Sequence, residues 1–344
     1  MDIPADFDYS IHTNFVAAQE KVSHELEIPM NYIVLDLEWN QCPYGKDREN
    51  EKLPFEIIEF GAVKMNEKKE IIDTFHQLVK PVVYRRIHFR TREVIAVSLE
   101  ELEKEGILFP KAAEAFFKWC GSDYRFCTWG TLDLTELQRN LDFYYMGGLI
   151  EGPVIYEDVQ KLFAIAYETR KDRRSLEYAA DFLHVEKRGE FHQALDDAVY
   201  TARILSMIPD EVIHEDFSID TYRTPKTKAE QILIRYRTYE KFISREFTTK
   251  EAAMEDREIT AIRCFVCHKN AKRKVKWFSD NGRNHFAVGF CPDHGYIKSK
   301  VRLRKSNSGR IFVIKTTKMI SESDAEKIRS KQDAIRERRH KKGK

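Results

Sequence analysis

The residues best placed to do chemistry in this chain are two acids standing two positions apart. Asp36 and Glu38 sit in the stretch Tyr32-Ile-Val-Leu-Asp-Leu-Glu-Trp39. Its apolar start reads as a buried strand, and residues i and i+2 of a strand project to one face. Paired carboxylates in such a strand repel one another and lose solvation. A divalent cation removes both costs, and hard oxygen ligands suit Mg²⁺ or Mn²⁺. The plain alternative is two solvated charges at a strand end. Asp133 follows Cys127-Thr-Trp-Gly-Thr-Leu, just past a predicted strand, where open α/β sheets place ligands. By itself it reads as a helix-capping residue. Phe191-His-Gln-Ala-Leu-Asp-Asp-Ala198 sets His192 before a helix whose first turns carry Asp196 and Asp197. The helix macrodipole alone would favour acids there.

A second group is sulfur-based. Cys264-Phe-Val-Cys267 and Cys291-Pro-Asp-His294 form a C-x-x-C and C-x-x-H pair with 23 residues between them. Tetrahedral structural zinc takes a Cys₃His set from two short knuckles, although the gap is longer than the usual template. His268 and His285 are rival fourth ligands; spacing favours His294. An Asn281-Gly282 turn signal predicts a hairpin between the knuckles, as in a zinc ribbon. Four protein ligands would leave one Zn²⁺ no open position, so this site is expected to be structural. Around it stand Lys274, Lys276, Trp277 and Arg283, with further cations at Lys298, Lys300, Arg302, Arg304, Lys305 and Arg310. Cations interleaved with aromatics suit phosphate contacts and base stacking, so nucleic acid is the expected partner. For any single lysine, a solvated surface is the simpler reading.

These groups need a scaffold. Phe55–Met65 and Asp73–Lys80 read as strands joined to the first by polar turns, hence an antiparallel meander. Helical periodicity follows over 100–106 and 111–119, then a short strand at Arg125–Gly130 and a helix at 134–144. A fifth strand at Pro153–Glu157 and helices over 175–183 and 194–205 complete an α/β unit with a mixed sheet covered by helices. The expected organisation is a helical lead-in over 1–30, this unit over 31–210, a helical connector over 221–260, a zinc-ribbon-like basic β domain over 261–320 and a basic tail over 321–344. Trp39, Phe89 and Trp129 are candidates for stacking beside the acids, with a buried core role expected for each. His76, His88 and His184 are expected to be structural or surface histidines.

Composition bounds the rest. The 344 residues are 42% hydrophobic and 33% charged, with a net charge of only +2, as fits a packed protein of about two domains. No apolar run reaches membrane-spanning length, and the N-terminus lacks the basic-then-apolar pattern of a secretory signal. A cytoplasmic location is the expectation. Six cysteines in a chain this long are not a disulfide framework.

Taken as a set, Asp-x-Glu on the first strand, Asp after a Trp-Gly strand end, and His-x-Ala-x-x-Asp opening a late helix resemble the DEDDh 3′–5′ exonucleases. The resemblance covers roughly 30–206. It implies an RNase H-like fold, a five-stranded mixed sheet flanked by helices. It also implies that Asp36, Glu38, Asp133 and Asp197 bind two Mg²⁺ or Mn²⁺ ions and that His192 is the general base. Asp196 does not match the motif by spacing and is expected to be a capping or solvated residue. Pro54-Phe-Glu-Ile-Ile-Glu-Phe-Gly-Ala-Val63 is similar to a strand of the branch that trims small RNAs and histone messenger RNA, with Gly61 where animal members have Pro. The polar loop 40–53 lies where substrate would enter. The implied activity is exoribonuclease action releasing nucleoside 5′-monophosphates. A DNA-acting repair or proofreading enzyme and a non-catalytic nucleic-acid binding protein are the alternatives.

Overall fold

A computed structural model of the chain describes residues 31–95, 97–168, 173–186 and 193–342. By their contacts these fall into two compact units, one ending at Tyr222 and the other beginning at Arg223. The expected lead-in over 1–30, residue His192 and the last two residues of the tail lie outside the described residues.

The first unit is built on a sheet of six strands: β1 Asn31–Gln41, β2 Phe55–Asn66, β3 Ile71–Leu78, β4 Tyr124–Thr128, β5 Ile155–Asp158 and the two-residue β6 Ser218–Ile219. Their spatial order is β3-β2-β1-β4-β5-β6. β1 to β3 form the antiparallel meander, β4 and β5 add parallel to β1, and β6 caps the edge antiparallel to β5. The sheet is thus the mixed one expected, and β6 extends both it and the unit past residue 210. The helices are α1 Phe89–Val94, α2 Leu99–Lys104, α3 Phe109–Cys120, α4 Leu132–Phe143, α5 Val159–Tyr167, α6 Leu176–Phe182, α7 Ala194–Met207 and α8 Asp210–Glu215.

β1 is central because it is apolar on both faces, as a strand covered on both sides must be. Tyr32 and Val34 face a core shared with α5, α6 and α7, through Phe163, Ala179 and Ala198 among others. Ile33, Leu35 and Leu37 face a second core shared with α3 and α4, through Ala112, Phe116 and Leu137. In α3, Ala112, Ala113 and Phe116 recur at helical spacing and are fully buried. Phe116 meets Phe60 of β2 at 5.3 Å and Phe126 of β4 at 6.3 Å between ring centroids. Truncating such a ring to Ala costs about 3–5 kcal/mol. Helix α5 has no counterpart in the sequence reading, because a short apolar run such as Leu162–Tyr167 suits helix or strand equally. Asp158 decides it, capping the helix through the Lys161 amide at 2.9 Å.

The second unit holds another six-stranded sheet, entirely antiparallel: β7 Ile232–Arg235, β8 Glu240–Ile243, β9 Lys272–Ser279, β10 Asn284–Cys291, β11 Gly295–Lys305 and β12 Ile311–Ile320, in the order β7-β8-β12-β11-β10-β9. Short helices α9 Lys250–Glu255 and α10 Arg257–Thr260 follow β8, and α11 Glu322–Lys342 closes the chain. The helical connector expected over 221–260 does not form. Ile232 and Ile234 are β-branched and favour a pleated surface, and β8 finds its partner in β12, with Lys241 opposite Thr316. A partner so distant in sequence overrides the helical charge pattern. The expected Asn281-Gly282 turn is present: Asn281 Oδ1 accepts from the Arg283 and Asn284 amides, and Gly282 has φ 69°. The basic tail is α11, a helix docked through Ala325, Ile328 and Ile335 onto Val275, Phe278 and Val288. Gln332 also donates to the Lys276 carbonyl at 2.8 Å.

Candidate active site

Strand alternation carries Asp36 and Glu38 onto the face where Tyr32 and Val34 pack under α7. A β-bulge follows immediately: Glu38 pairs with Glu59 but Trp39 with Ile57, so Ile58 is the extra residue. Asn140 of α4 clamps the irregular stretch, its Oδ1 accepting the Ile57 amide at 3.1 Å and its Nδ2 donating to the Phe55 carbonyl at 2.9 Å. From α7, Asp197 in the first turn points back at the strand. Acidic oxygens of Asp36, Glu38 and Asp197 lie within 4.8 Å of one another. Asp133, 6% exposed in the first turn of α4, lies outside that group of three but next to Asp36 in charge, its Oδ1 accepting the intervening Leu37 amide at 3.2 Å. Asp196, its neighbour Asp197's companion in the same turn, is only half-buried.

Gly61 makes this convergence possible. It pairs with Asp36 across β1 and β2. A Cβ at Gly61 would stand 2.0 Å from the Ala194 carbonyl carbon and 2.1 Å from the Leu195 nitrogen. Only a residue without a side chain lets the start of α7 lie this close to β2.

The electrostatics show what the acids want. Burial, then Asp133 and Glu38, hold the Asp36 carboxyl well above the usual range. Burial and then Glu59 push Glu38 up to about 8. Burial raises Asp133 to about 7 against the opposing pull of the Leu37 amide. Oxygens within 4.8 Å of each other match ligands arranged about one hard cation at 2.0–2.4 Å or so. The donor set fits Mg²⁺ or Mn²⁺ and would shed its repulsion on binding one.

One neighbour was not found by sequence reasoning. Glu59, 3% exposed, pairs with Glu38 and meets His76 Nε2 at 2.9 Å. The available signal was the Pro-x-Glu-Ile-Ile-Glu strand, whose two acids prove to differ in role. Glu56 accepts the Val82, Val83 and Tyr84 amides at 2.7–2.9 Å and ties down the loop after β3. Glu59 faces the acids instead. Of the aromatic candidates, Trp39 packs on Phe55 at 5.9 Å and Trp129 on Phe163 at 6.1 Å, as expected of core residues. Phe89 departs from that expectation. It is 62% exposed at the start of α1, its ring beside His88 at 4.5 Å.

In the second unit, Cys264, Cys267, Cys291 and His294 bring their ligand atoms within 4.8 Å. Cys267 Sγ to Cys291 Sγ and Cys291 Sγ to His294 Nδ1 are both 3.6 Å. Zn–S bonds near 2.3 Å at tetrahedral angles put ligand atoms about 3.7 Å apart, so the set fits zinc. Burial raises the Cys291 thiol, but hydrogen bonds from His294 and the Asp293 and His294 amides bring it down to about 7. Of the rival ligands, His268 turns to Arg235 at 3.5 Å and His285 is not in the cluster. Lys274 and Lys276 are exposed on β9, and Arg283 is exposed in the following turn. Trp277 is partly buried: its indole donates to the Thr260 carbonyl at 2.9 Å and its ring packs against the second unit's core.

Clustered carboxylates on a mixed sheet flanked by helices could hold a divalent cation. A family model for exonucleases of the RNase T type matches residues 33–205, half of the chain. The chain therefore belongs to this exonuclease family. Similar solved structures include a full-length 3′-exonuclease, 21% identical over 52% of this chain and 81% of that one, with a TM-score of 0.44. Another is the nuclease domain of 3′hExo, a DEDDh family member bound to rAMP, 20% identical over 56% and 98%, TM-score 0.45. Cell-death related nuclease 4 is 18% identical over 59% and 74%, TM-score 0.44. A search of curated protein sequences finds no significant match. Among the described residues, no helix is long and apolar enough to cross a membrane.

Proposed function

We propose that the chain trims RNA or single-stranded 3′ ends, releasing nucleoside 5′-monophosphates with two Mg²⁺ or Mn²⁺ ions at the acidic site. The observation that carries this is the convergence of Asp36, Glu38 and Asp197 from one strand and one helix, with Asp133 on the intervening Leu37 amide. Those four side chains would hold the ions and orient the scissile phosphate toward water. Bound divalent metal supplies charge stabilisation for the attacking and leaving oxygens of an in-line displacement. His192, assigned by its motif, takes the proton of the attacking water, a task for which an imidazole is the side chain suited at neutral pH. A purely binding scaffold has no use for several acids held together against repulsion. The preference for RNA rests on the Pro54–Glu59 strand. The Cys₃His cluster holds one structural Zn²⁺, and the basic surface of the second unit binds the polymer. Six free cysteines agree with a reducing, cytoplasmic setting.

The test is incubation with Mg²⁺ or Mn²⁺ and end-labelled RNA and DNA of one sequence, with the 3′ end free or blocked. Ladders from free 3′ ends of RNA are expected, with none from blocked ends. A faster ladder on DNA would replace the RNA assignment with the DNA-acting one. Asp36→Ala abolishes turnover and His192→Ala lowers it roughly 10²–10⁴-fold. Full activity of the Asp36 variant in metal-replete buffer overturns the site.

A further inference from the structure

A cavity of about 370 Å³ in the second unit is lined by five cations. Lys250 reaches it from the start of α9, Arg283 from the β9–β10 turn, and Arg302, Arg304 and Lys305 from the end of β11. Leu303 and Ile311 add apolar wall. Several cations elsewhere in this unit have acidic partners: Lys226 with Glu246, Arg235 with Glu240, Arg245 with Asp256 and Lys331 with Asp280. Among the described residues, Lys250, Arg283, Arg302 and Lys305 have no such acidic partner.

We infer that this cavity is a phosphate site that grips an internucleotide phosphate of the polymer. The inference deepens, and rests on, the proposed binding of nucleic acid by the second unit. Like charges converging in a concavity repel unless an anion enters. Arginine guanidinium groups meet phosphate oxygens in pairs, and lysine supplies a compact charge beside them. The cradle is held ready. The Arg283 carbonyl accepts the Leu303 amide at 2.8 Å, Arg302 pairs with Asn284 in the β10–β11 register, and Arg304 lies over the Phe312 ring at 5.8 Å. The volume falls in the range of small-ligand sites and admits a phosphate with its flanking sugar. Apolar Leu303 and Ile311 would face that sugar.

The test uses the full chain, without added Mg²⁺ or Mn²⁺, binding a fluorescent single-stranded oligonucleotide across a range of KCl concentrations. Arg302→Ala with Lys305→Ala should reduce the slope of log K against log salt by about 1.4, two contacts at about 0.7 each. Binding near 0.15 M salt should weaken roughly tenfold. Arg302→Lys with Lys305→Arg keeps the charge and should keep the slope. An alanine variant that melts as wild type with an unchanged slope overturns the cavity assignment while leaving nucleic-acid binding intact. A wild type that shows no salt-dependent binding overturns the nucleic-acid reading itself. Calorimetric titration with inorganic phosphate separates the sources. Phosphate binding lost in the alanine variant, with an unaltered oligonucleotide slope, would overturn the backbone assignment in favour of free phosphate.

Discussion

Asp36, Glu38 and Asp197 hold oxygens within 4.8 Å of one another, so protons and metal ions compete for the same small volume. A carboxyl whose folded pKa exceeds its unfolded value leaves stability intact at low pH and removes it as pH rises through the folded pKa. For metal-free protein the window runs from about 4.5 to about 8 for Glu38 and from about 3.8 to about 7 for Asp133. Metal binds the ionised acids, so its stabilising effect should grow across the same window. Thermal melts with saturating Mg²⁺ are expected to show a larger gain at pH 8 than at pH 5.5; equal gains would mean the ion does not sit on these groups. Glu59 is the leading charge acting on Glu38 after burial. Glu59→Gln should therefore move the pH midpoint of metal binding downward, as measured by Mn²⁺ titration at several pH values.

Elements set those residues in place by contacts that tolerate little change. Gly61→Ala would force the start of α7 away from β2, since the new methyl would meet the Ala194 backbone. Overpacking of this kind costs about 1–3 kcal/mol or more. A shift of about 1 Å in Asp197 is enough to lower turnover roughly 100-fold. Denaturant melts and single-turnover assays on the variant should show both losses; wild-type turnover would mean α7 does not depend on this approach. Between β4 and β5, Arg125 Nη1 meets Glu157 Oε1 at 3.1 Å with both side chains buried. Burial drives Glu157 up to about 7 even with Arg125 lowering it. Arg125→Ala strands that carboxylate and should cost about 3–5 kcal/mol in urea unfolding at pH 8, whereas replacing both partners with apolar residues should be nearly neutral.

Across the whole molecule, the two units have separate cores, one on each face of the first sheet and others around the second. The Cys₃His set sits wholly in the second, joining the segment after α10 to the β10–β11 hairpin. Structural zinc contributes on the order of 10–16 kcal/mol where folding depends on it. Cys267→Ser with Cys291→Ser should therefore lower or abolish one calorimetric transition and leave the other, carrying the 31–222 unit, close to its wild-type temperature. Joint collapse of both transitions would show that the units depend on each other.

The sequence by itself determined what is local. Apolar runs bounded by polar turns gave the strands of the first sheet, the two-residue period put Asp36 and Glu38 on one face, and knuckle spacing named the Cys₃His set. It could not place what depends on pairing between distant segments. Glu59 stands beside Glu38 only because of a bulge in the β1–β2 register. Residues 232–235 and 240–243 are strands because β12 lies alongside β8, Trp277 is tied to the Thr260 carbonyl through its indole, and Lys250 shares a cavity with Arg302. Periodicity is a property of neighbours along the chain. Register, burial and the convergence of charge arise only when segments far apart close on each other, and that closure leaves no repeating trace in the residues themselves.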